Sequence, residues 1–270
     1  MFGRIKAEAR ALIGRHRRST PVAWAHALAS FVESAYANEG SSFASNGESQ
    51  LLERLASADF RTAFDVGANH GDWLLEATSR WPHCTLHAFE VAPATFQRLS
   101  VCVAACPDSA RITLNNVGLS DAAGTQPMHF FPDHPELTCD IERHDGLTSV
   151  LFDARLERGD DYMRSRGIER IDFLKIDVEG AEHRVLKGFA GALAEDRVQC
   201  IQFEYGAFST QTRVLLADYY ALLGKRFWIG KVYPTYVDFR DYDWTMEDFR
   251  FANYCAVLRR RADLKALVAP

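Results

Sequence analysis

Four short apolar segments of the chain each close with a carboxylate, a side chain that can do chemistry at such a position. The carboxylates are Asp65, Glu90, Asp177 and Glu204. In open α/β sheets, ligands bind in the crevice at the carboxyl ends of the strands. Acids clustered there raise the pKa of one member and prepare either a general base or a site for a divalent cation. These four acids are therefore candidate functional residues.

The segment around Asp65 has the features of a cofactor-binding turn. Residues 62–73 read Thr-Ala-Phe-Asp-Val-Gly-Ala-Asn-His-Gly-Asp-Trp, which predicts a strand, a tight turn and a helix. Gly67 and Gly71 permit positive φ and a close approach of the backbone to a ligand. The Asp-x-Gly-x-x-x-Gly spacing differs from the Gly-x-Gly-x-x-Gly of dinucleotide sites, and no P-loop Lys-Ser/Thr follows it. NAD and ATP are therefore disfavoured.

Glu90 closes the next predicted strand, residues 85–90, where a carboxylate suits a bidentate hydrogen bond to the two hydroxyls of a ribose. Asp65 and Glu90 would repel a phosphate, so they favour a phosphate-free cofactor with a ribose and a cationic amino-acid tail. S-adenosylmethionine has these features, and we expect it as the cofactor. The alternative is that Glu90 is a surface acid and the glycines serve a plain turn. That alternative is weaker because the glycine turn after Asp65 and the strand-end acid Glu90 occur together, at the spacing expected of a cofactor site.

Residues 171–182 form a second motif, Ile-Asp-Phe-Leu-Lys-Ile-Asp-Val-Glu-Gly-Ala-Glu. The pattern predicts a buried strand that ends in Asp177 and Glu179, followed by a turn and a helix. Lys175 lies within the apolar run, where a lone cation is costly unless an acid pairs with it. Helix capping explains Glu179 and Glu182, but it explains Asp177 and Lys175 less well. We therefore expect chemistry at Asp177.

Alternating strand and helix patterns surround these motifs. Strands are expected at 62–66, 85–90, 112–118, 171–176, 198–203 and 252–258. Residues 121–160 interrupt the alternation, with two extra strands around a loop that we expect to cap the site or select the substrate. Its metal-ligating residue types lack convincing ligand spacing. They are His129, Asp133, His134, Asp140, His144 and Asp145.

Composition limits the classes of function. A net charge of −5 over 270 residues argues against general nucleic-acid binding, which needs a basic surface. No run of about 18 apolar residues is present, so we expect no membrane-spanning helix. Six cysteines without CxxC pairs are typical of reduced thiols, and we expect a cytoplasmic protein.

The N-terminal residues 1–18 are basic, with apolar side chains interspersed. A basic amphipathic helix can lie on an anionic membrane surface, although such an end is more often a frayed or packing helix. A weak peripheral membrane contact by residues 1–18 therefore stays open.

The motifs together resemble the FkbM family of S-adenosylmethionine-dependent methyltransferases. The likeness is carried by residues 64–71, 89–90, 116–121, 159–162 and 172–188. It implies an α/β fold with a Rossmann-like seven-strand class I methyltransferase sheet, helices on both faces and an insertion between strands three and four. We expect this domain over 59–260, after an N-terminal helical extension over 1–58 and before a C-terminal tail over 261–270.

The resemblance also implies roles for residues. The cofactor would be held by Asp65, Gly67, Ala68, Asn69 and Gly71 around the methionine moiety, by Glu90 at the ribose and by Asn116 near the adenine. From the residues alone, the stretch around Asn116 is equally a strand-end turn. Family members commonly methylate hydroxyls of sugars or of secondary metabolites, so we expect a small-molecule or glycan acceptor and no nucleic acid.

The expected reaction is O-methyl transfer, which requires removal of the hydroxyl proton. Asp177 is predicted to be the base or, with Glu204, a ligand to a divalent cation such as Mg²⁺ that lowers the pKa of the hydroxyl. Glu179 and Glu204 would orient the acceptor or metal, and Lys175 would keep the acids ionised. The sequence is also compatible with a homo-oligomer.

Two other classes stay open. A nicotinamide-dependent oxidoreductase would use a similar sheet, but the glycine spacing counts against it. A non-catalytic S-adenosylmethionine-binding protein would need no catalytic edge, so Asp177, Glu179 and Glu204 count against it.

Overall fold

The computed structural model describes residues 2–40, 42–142 and 146–270. His144 and Asp145, considered above as metal-ligating types, lie outside the described residues. The chain divides into two compact units, residues 1–40 and 41–270. The predicted boundaries at 58 and 261 stay predictions.

The first unit contains two helices, α1 (Phe2–Arg15) and α2 (Thr20–Tyr36). Pro21 stands in the first turn of α2, where its fixed φ favours the helix and its missing N–H costs nothing. No residue of α2 is buried. Among the described residues, no helix combines the length and the apolar character that a membrane span needs.

The second unit alternates strands and helices. Its strands are β1 (Thr62–Val66), β2 (Thr85–Phe89), β3 (Ile112–Asn115), β4 (Gly118–Ser120), β5 (Gly124–Phe130), β6 (Val150–Arg158), β7 (Ile171–Ile176), β8 (Val198–Tyr205), β9 (Phe227–Val232), β10 (Val237–Phe239) and β11 (Ala252–Leu258). Its helices are α3 (Glu48–Arg54), α4 (Asp72–Arg80), α5 (Pro93–Ala104), α6 (Gly159–Ser165), α7 (Glu182–Gly188), α8 (Ala190–Ala194), α9 (Ser209–Thr212), α10 (Leu216–Leu223) and α11 (Ala262–Val268).

The main sheet has the strand order β3-β2-β1-β7-β8-β11-β9-β10. Strands β3, β2, β1, β7 and β8 run parallel, whereas β11, β9 and β10 join antiparallel. The predicted Rossmann-like α/β fold is confirmed. Strand β10 adds an eighth, three-residue strand at the edge of the predicted seven-strand sheet.

Apolar residues cover both faces of this sheet because successive side chains of a strand point to opposite faces. In β7, Phe173 belongs to the core cluster under α3, α4, α5 and α11, and Leu174 belongs to the cluster under α6, α7, α8 and α10. Ala63 and Phe64 of β1 divide in the same way. Burial on both faces explains why the central strands are continuous apolar runs.

A second sheet of order β4-β6-β5 is inserted between β3 and β7, as predicted. The predicted strand over 112–118 is shorter than expected, because the main-sheet strand ends at Asn115 and the chain resumes in the second sheet as β4. At the break, the Asn116 amide donates to the carbonyl oxygens of Glu90 (2.8 Å) and Val91 (3.2 Å). These bonds to the end of β2 direct the chain out of the main sheet.

Candidate active site

The central strands of the main sheet bring the four strand-end acids to one edge. Val66 pairs with Phe89 of β2 and with Ile176 of β7, and Ile176 pairs with Phe203 of β8. The residues next to these pairs are therefore neighbours across the sheet. The acids 65, 90, 177 and 204 occupy these positions.

A cavity of about 820 Å³, including its open mouth, lies against this edge. One wall is formed by the strand ends and the turns after them. Its members include Val66, Gly67, Asn69, Phe89, Glu90, Asp177, Val178 and Glu179. The opposite wall comes from the inserted region, with Gln126, Met128, Pro135, Glu136, Thr138, Asp140 and Leu156.

The turn after β1 is packed too tightly for a side chain at Gly67. This glycine has φ +84°, and a Cβ there would lie 1.8 Å from the carbonyl oxygen of Asp177. The N–H groups of Gly67 and Ala68 both donate to the carbonyl of Phe89. Gly67 thus lets β1, β2 and β7 converge. Gly67 and Asn69 line the cavity, whereas Ala68 and Gly71 support the turn from behind.

Glu90 is held rigidly at the cavity wall. Its Oε2 accepts the N–H of Asn69 at 3.0 Å, and its Oε1 accepts the N–H of Ala92 at 2.8 Å. Burial raises the pKa of Glu90 to about 7, although these two N–H groups act in the opposite direction. Each carboxylate oxygen keeps a second lone pair, so Glu90 can accept two further hydrogen bonds from a ligand.

Lys175 is the buried cation of the site. Its Nζ lies 3.1 Å from Asp177 Oδ2 and 3.4 Å from Asp65 Oδ1. Burial acts to lower the pKa of Lys175, but the carboxylates of Asp177, Asp65 and Glu48 raise it above its ordinary value. Lys175 is therefore charged and paired, as the apolar run around it required.

Asp65 and Lys175 lie behind the cavity wall. They are directly opposite each other in the pairing of β1 with β7, so their side chains share one face of the sheet. Burial raises the pKa of Asp65, and neither carboxylate oxygen of Asp65 has a hydrogen bond within the described residues. The ion contact with Lys175 is therefore the main interaction that offsets the burial of the Asp65 carboxylate.

Asp177, Glu179 and Glu204 form a carboxylate triad, one oxygen of each lying within 4.8 Å of the others. Asp177 and Glu179 line the cavity, and Glu204 lies beneath them, 7 % exposed. Burial and the neighbouring acids Asp177 and Glu179 raise the pKa of Glu204 well above its ordinary value. Oxygen ligands in this number can hold a divalent cation.

Asn116 does not line this cavity. It borders a separate groove with Arg155, Tyr162 and Arg166, and its amide is bound to the end of β2. The structure thus brings Asn69, Glu90, Asp177 and Glu179 together on one wall and leaves Asn116 outside it.

Other residues hold the site in place without belonging to the predicted catalytic set. Glu182 accepts the N–H groups of Val178 (3.0 Å) and Gly180 (3.0 Å), which holds the turn that carries Glu179 at φ +54°. Its place shortly after Glu179, at the start of a helix, is the sequence signal for this capping role.

Glu48 of α3 joins the site from a distant part of the chain. It accepts a hydrogen bond from Gln202 Nε2 at 2.6 Å and interacts with Lys175. No local pattern marks Glu48, because the contact depends on how α3 packs on the sheet. Arg184 of α7 similarly reaches the inserted region, where it pairs with Asp140 at 2.5 Å.

The strand order and the ligand crevice at the carboxyl edge place this chain among Rossmann-like α/β proteins. Residues 65–240 match the model of the methyltransferase FkbM domain, and the chain belongs to that family. It is 34 % identical over 154 residues to methyltransferase sdnD of Sordaria araneosa, covering 46 % of this chain and 58 % of sdnD.

Two further relatives give comparable matches. The chain is 35 % identical over 156 residues to 31-O-demethyl-FK506 methyltransferase FkbM of Streptomyces tacrolimicus, covering 48 % of this chain and 59 % of the relative. It is 26 % identical over 168 residues to hexuronic acid methyltransferase AglP of Haloferax volcanii, covering 62 % and 65 %. The chain thus spans less than two thirds of the length of each of these relatives.

Proposed function

We propose that this protein is an S-adenosylmethionine-dependent O-methyltransferase that acts on a hydroxyl of a sugar or a secondary metabolite. The observation that carries the proposal is the cavity wall on which Glu90, a ribose-type acceptor, and Asp177, a lysine-paired carboxylate, face one ligand space. Two of the relatives are an O-demethyl-FK506 methyltransferase and a hexuronic acid methyltransferase, and their names support the acceptor class.

The residues fit the proposed cofactor. When bound, S-adenosylmethionine supplies a methyl group on a cationic sulfur. Glu90 would accept hydrogen bonds from its ribose hydroxyls, and the excess of carboxylates at this edge favours a cation. Asn69 Oδ1 is buried without a partner among the described residues, which provides an acceptor for the amino group of the methionine moiety.

The remaining predicted cofactor residues act through the shape of the site. Asp65, Ala68 and Gly71 would fix the turn that carries Gly67. Asn116 would act on the adenine end through the backbone of Glu90 and Val91, which its amide holds.

Asp177 is our choice as general base. Its side chain is 35 % exposed and reaches the cavity, whereas the Lys175 side chain beside it is 5 % exposed. The Asp177 carboxylate, paired with the Lys175 ammonium at 3.1 Å, would accept the proton of the acceptor hydroxyl. Glu179 and Glu204 would orient the acceptor. In the alternative, Asp177 and Glu204 would hold a divalent cation, whose contribution would be a lower pKa of the bound hydroxyl.

The inserted region would select the acceptor. It presents apolar side chains, Met128 and Leu156, beside polar ones, Gln126 and Thr138. A hydroxylated molecule with an apolar body fits such a wall.

The base assignment is tested by Asp177→Asn. We expect formation of S-adenosylhomocysteine with a panel of sugar and polyketide acceptors to fall by about 10²–10⁴-fold. S-adenosylmethionine affinity, measured by calorimetry, should stay within a few-fold because the predicted cofactor contacts remain. The matched control is Asp153→Asn, an exposed aspartate of β6 away from the cavity lining. Full activity of the Asp177 variant would show that another group removes the proton.

Calorimetry with two cofactors separates the classes of function. Binding of S-adenosylmethionine without binding of NAD supports the proposal. Binding of NAD alone favours the oxidoreductase, and S-adenosylmethionine binding without turnover on any acceptor favours the non-catalytic protein.

A further inference from the structure

The carboxylate triad contains a buried acid without a partner. Glu204 is 7 % exposed, and no hydrogen bond or ion pair to its carboxylate occurs within the described residues 2–40, 42–142 and 146–270. Its oxygen lies within 4.8 Å of oxygens of both Asp177 and Glu179. Glu204 is therefore aimed into the triad and not toward a protein donor.

Within the described residues, no protein cation pairs with Glu204. The neighbours that interact most strongly with Glu204 are all acids, Asp177, Glu179, Glu182 and Glu48. Lys175 divides its charge between Asp177 and Asp65, at 3.1 and 3.4 Å. Removing a carboxylate from water without a compensating cation costs several kcal/mol.

We propose that Asp177, Glu179 and Glu204 together bind a divalent cation of the Mg²⁺ or Mn²⁺ type at the base of the cavity. Three carboxylates without nitrogen or sulfur ligands are the donor set for a hard cation. With Mg–O bonds of about 2.1 Å, adjacent ligands of an octahedral site lie about 3.0 Å apart and opposite ligands about 4.2 Å apart. The triad oxygens lie within 4.8 Å of one another, so each needs to move by about 1 Å at most to reach such spacings.

Asp177 and Glu179 line the cavity, so coordination positions on that side stay open to an acceptor oxygen. The proposed role of the cation is to lower the pKa of the acceptor hydroxyl that binds it, and this role depends on the proposed methyltransferase function. The binding of the cation does not depend on it.

The test is a Mn²⁺ titration of the full chain after chelator treatment, followed by electron paramagnetic resonance of free Mn²⁺. We expect one Mn²⁺ per chain, competed by Mg²⁺, and a thermal unfolding midpoint that rises with Mn²⁺ concentration. Glu204→Gln should weaken Mn²⁺ affinity at least tenfold and remove the thermal shift. Glu179→Gln, which alters the less buried ligand, should weaken affinity as well and covers the case in which Glu204→Gln does not fold.

Glu136→Gln is the matched control, because Glu136 is an exposed acid that lines the same cavity outside the triad. Its Mn²⁺ affinity should equal that of the wild type. Binding of S-adenosylhomocysteine in chelator is measured in parallel. Normal S-adenosylhomocysteine binding without Mn²⁺ binding, or Mn²⁺ binding that survives both triad substitutions, overturns the metal site and leaves the proposed function standing. Loss of both ligands in the wild type overturns both proposals.

The unit of residues 2–40 presents a second surface, carried by a different observation. Large apolar side chains of α2 recur at the spacing of one helix face. They are Trp24, Leu28, Phe31, Val32 and Tyr36, each at least 56 % exposed. In α1, Ile5, Leu12 and Ile13 are exposed as well.

Charge identifies the occupant of this face. Residues 1–18 contain six Lys or Arg and one Glu, a net charge of +5, whereas the whole chain carries −5. The remaining residues therefore carry −10. A second copy that packed through this same face would bring the same basic segment and so repel it, whereas an anionic bilayer complements it.

We infer that α1 and α2 bind the surface of an anionic phospholipid membrane. The test is sedimentation of the full chain with phosphatidylcholine vesicles that contain or lack phosphatidylserine. We expect binding only with phosphatidylserine, weakened by high salt and lost in the double variant Trp24→Glu, Phe31→Glu. Trp244→Glu, which alters another highly exposed tryptophan, is the control and should bind as the wild type does. Absence of wild-type sedimentation, or a dimer in solution that the double variant abolishes, overturns the membrane as occupant.

Discussion

Replacing Glu90 by glutamine changes one charge at the cavity wall and almost nothing in size. In the wild type, one carboxylate oxygen accepts the N–H of Asn69 at 3.0 Å and the other accepts the N–H of Ala92 at 2.8 Å. A glutamine amide has one oxygen and one NH₂ group. In the variant, one backbone N–H therefore loses its acceptor and faces a second donor.

The first expected effect is on cofactor binding. Hydrogen bonds to an ionised group contribute about 1.5–3 kcal/mol each. Loss of the carboxylate that accepts the ribose hydroxyls should weaken S-adenosylmethionine binding by about 10- to 100-fold. Because the pKa of Glu90 is about 7, wild-type affinity should also fall as the pH is lowered through 7. The variant, which has no proton to gain there, should lack this dependence.

The second expected effect is on stability. Burial raises the pKa of Glu90 from 4.5 to about 7, so the folded state holds the proton more tightly than the unfolded state does. The stability contributed by this proton is complete below pH 4.5 and is lost as the pH rises through 7. At about 1.4 kcal/mol for each pH unit between the two pKa values, the loss is about 3 kcal/mol. The glutamine of Glu90→Gln stays neutral at every pH. As the pH rises from 4.5 through 7, the free energy of unfolding of the wild type should therefore fall by about 3 kcal/mol relative to that of the variant.

The assay is urea unfolding of both proteins, with calorimetric S-adenosylmethionine titrations, at several values between about pH 4.5 and about pH 8. The difference between the two proteins isolates Glu90 from other buried acids, whose titration both proteins share. If the two stability curves run parallel across this range, the assignment of a raised pKa to Glu90 is wrong. If the cofactor affinities agree at every pH, Glu90 does not hold the ribose.

Other substitutions test the scaffold around the site. Gly67→Ala should cost more than about 3 kcal/mol and abolish cofactor binding, because its Cβ would lie 1.8 Å from the carbonyl oxygen of Asp177. Gly167→Ala shares a positive φ of +63° but meets nothing within 4 Å, so it should cost only about 1–2 kcal/mol in urea unfolding; equal losses at the two glycines would refute the packing argument. Tyr162→Phe should cost about 1–3 kcal/mol, because the Tyr162 hydroxyl donates to buried Asn115 Oδ1 at 3.1 Å. S-adenosylmethionine affinity should not change in that variant, and a large change would mean that the groove beside Tyr162 belongs to the cofactor site.

Local patterns were sufficient to predict the parallel strands of the main sheet and its acid edge. Apolar runs that end in Asp65, Glu90, Asp177 and Glu204 can be recognised without a structure, because parallel strands buried on both faces leave such runs in the sequence. The position of Gly67 was equally predictable, since a tight turn before a helix selects glycine. Lys175 predicted a carboxylate partner, because an isolated cation in an apolar strand is too costly.

Contacts between distant segments were not predictable in this way. Glu48 binds Gln202 from a helix more than 150 residues earlier in the chain, and Arg184 binds Asp140 of the inserted region. The early end of β3 depends on the bonds of Asn116 to Glu90 and Val91. Each contact is set by the packing of whole elements, which residue spacing does not encode.

The sequence by itself determined that carboxylates would stand at the ends of neighbouring strands, because strand periodicity and apolar runs are local properties. Only the tertiary structure decided which of them face the cavity. Asp65 lies opposite Lys175 in the strand pairing and is buried behind the wall, whereas Glu90, Asp177 and Glu179 open into the cavity. The reason is that a cavity exists between elements: its far wall is the inserted sheet, and its position against the strand ends depends on the folding of the whole second unit.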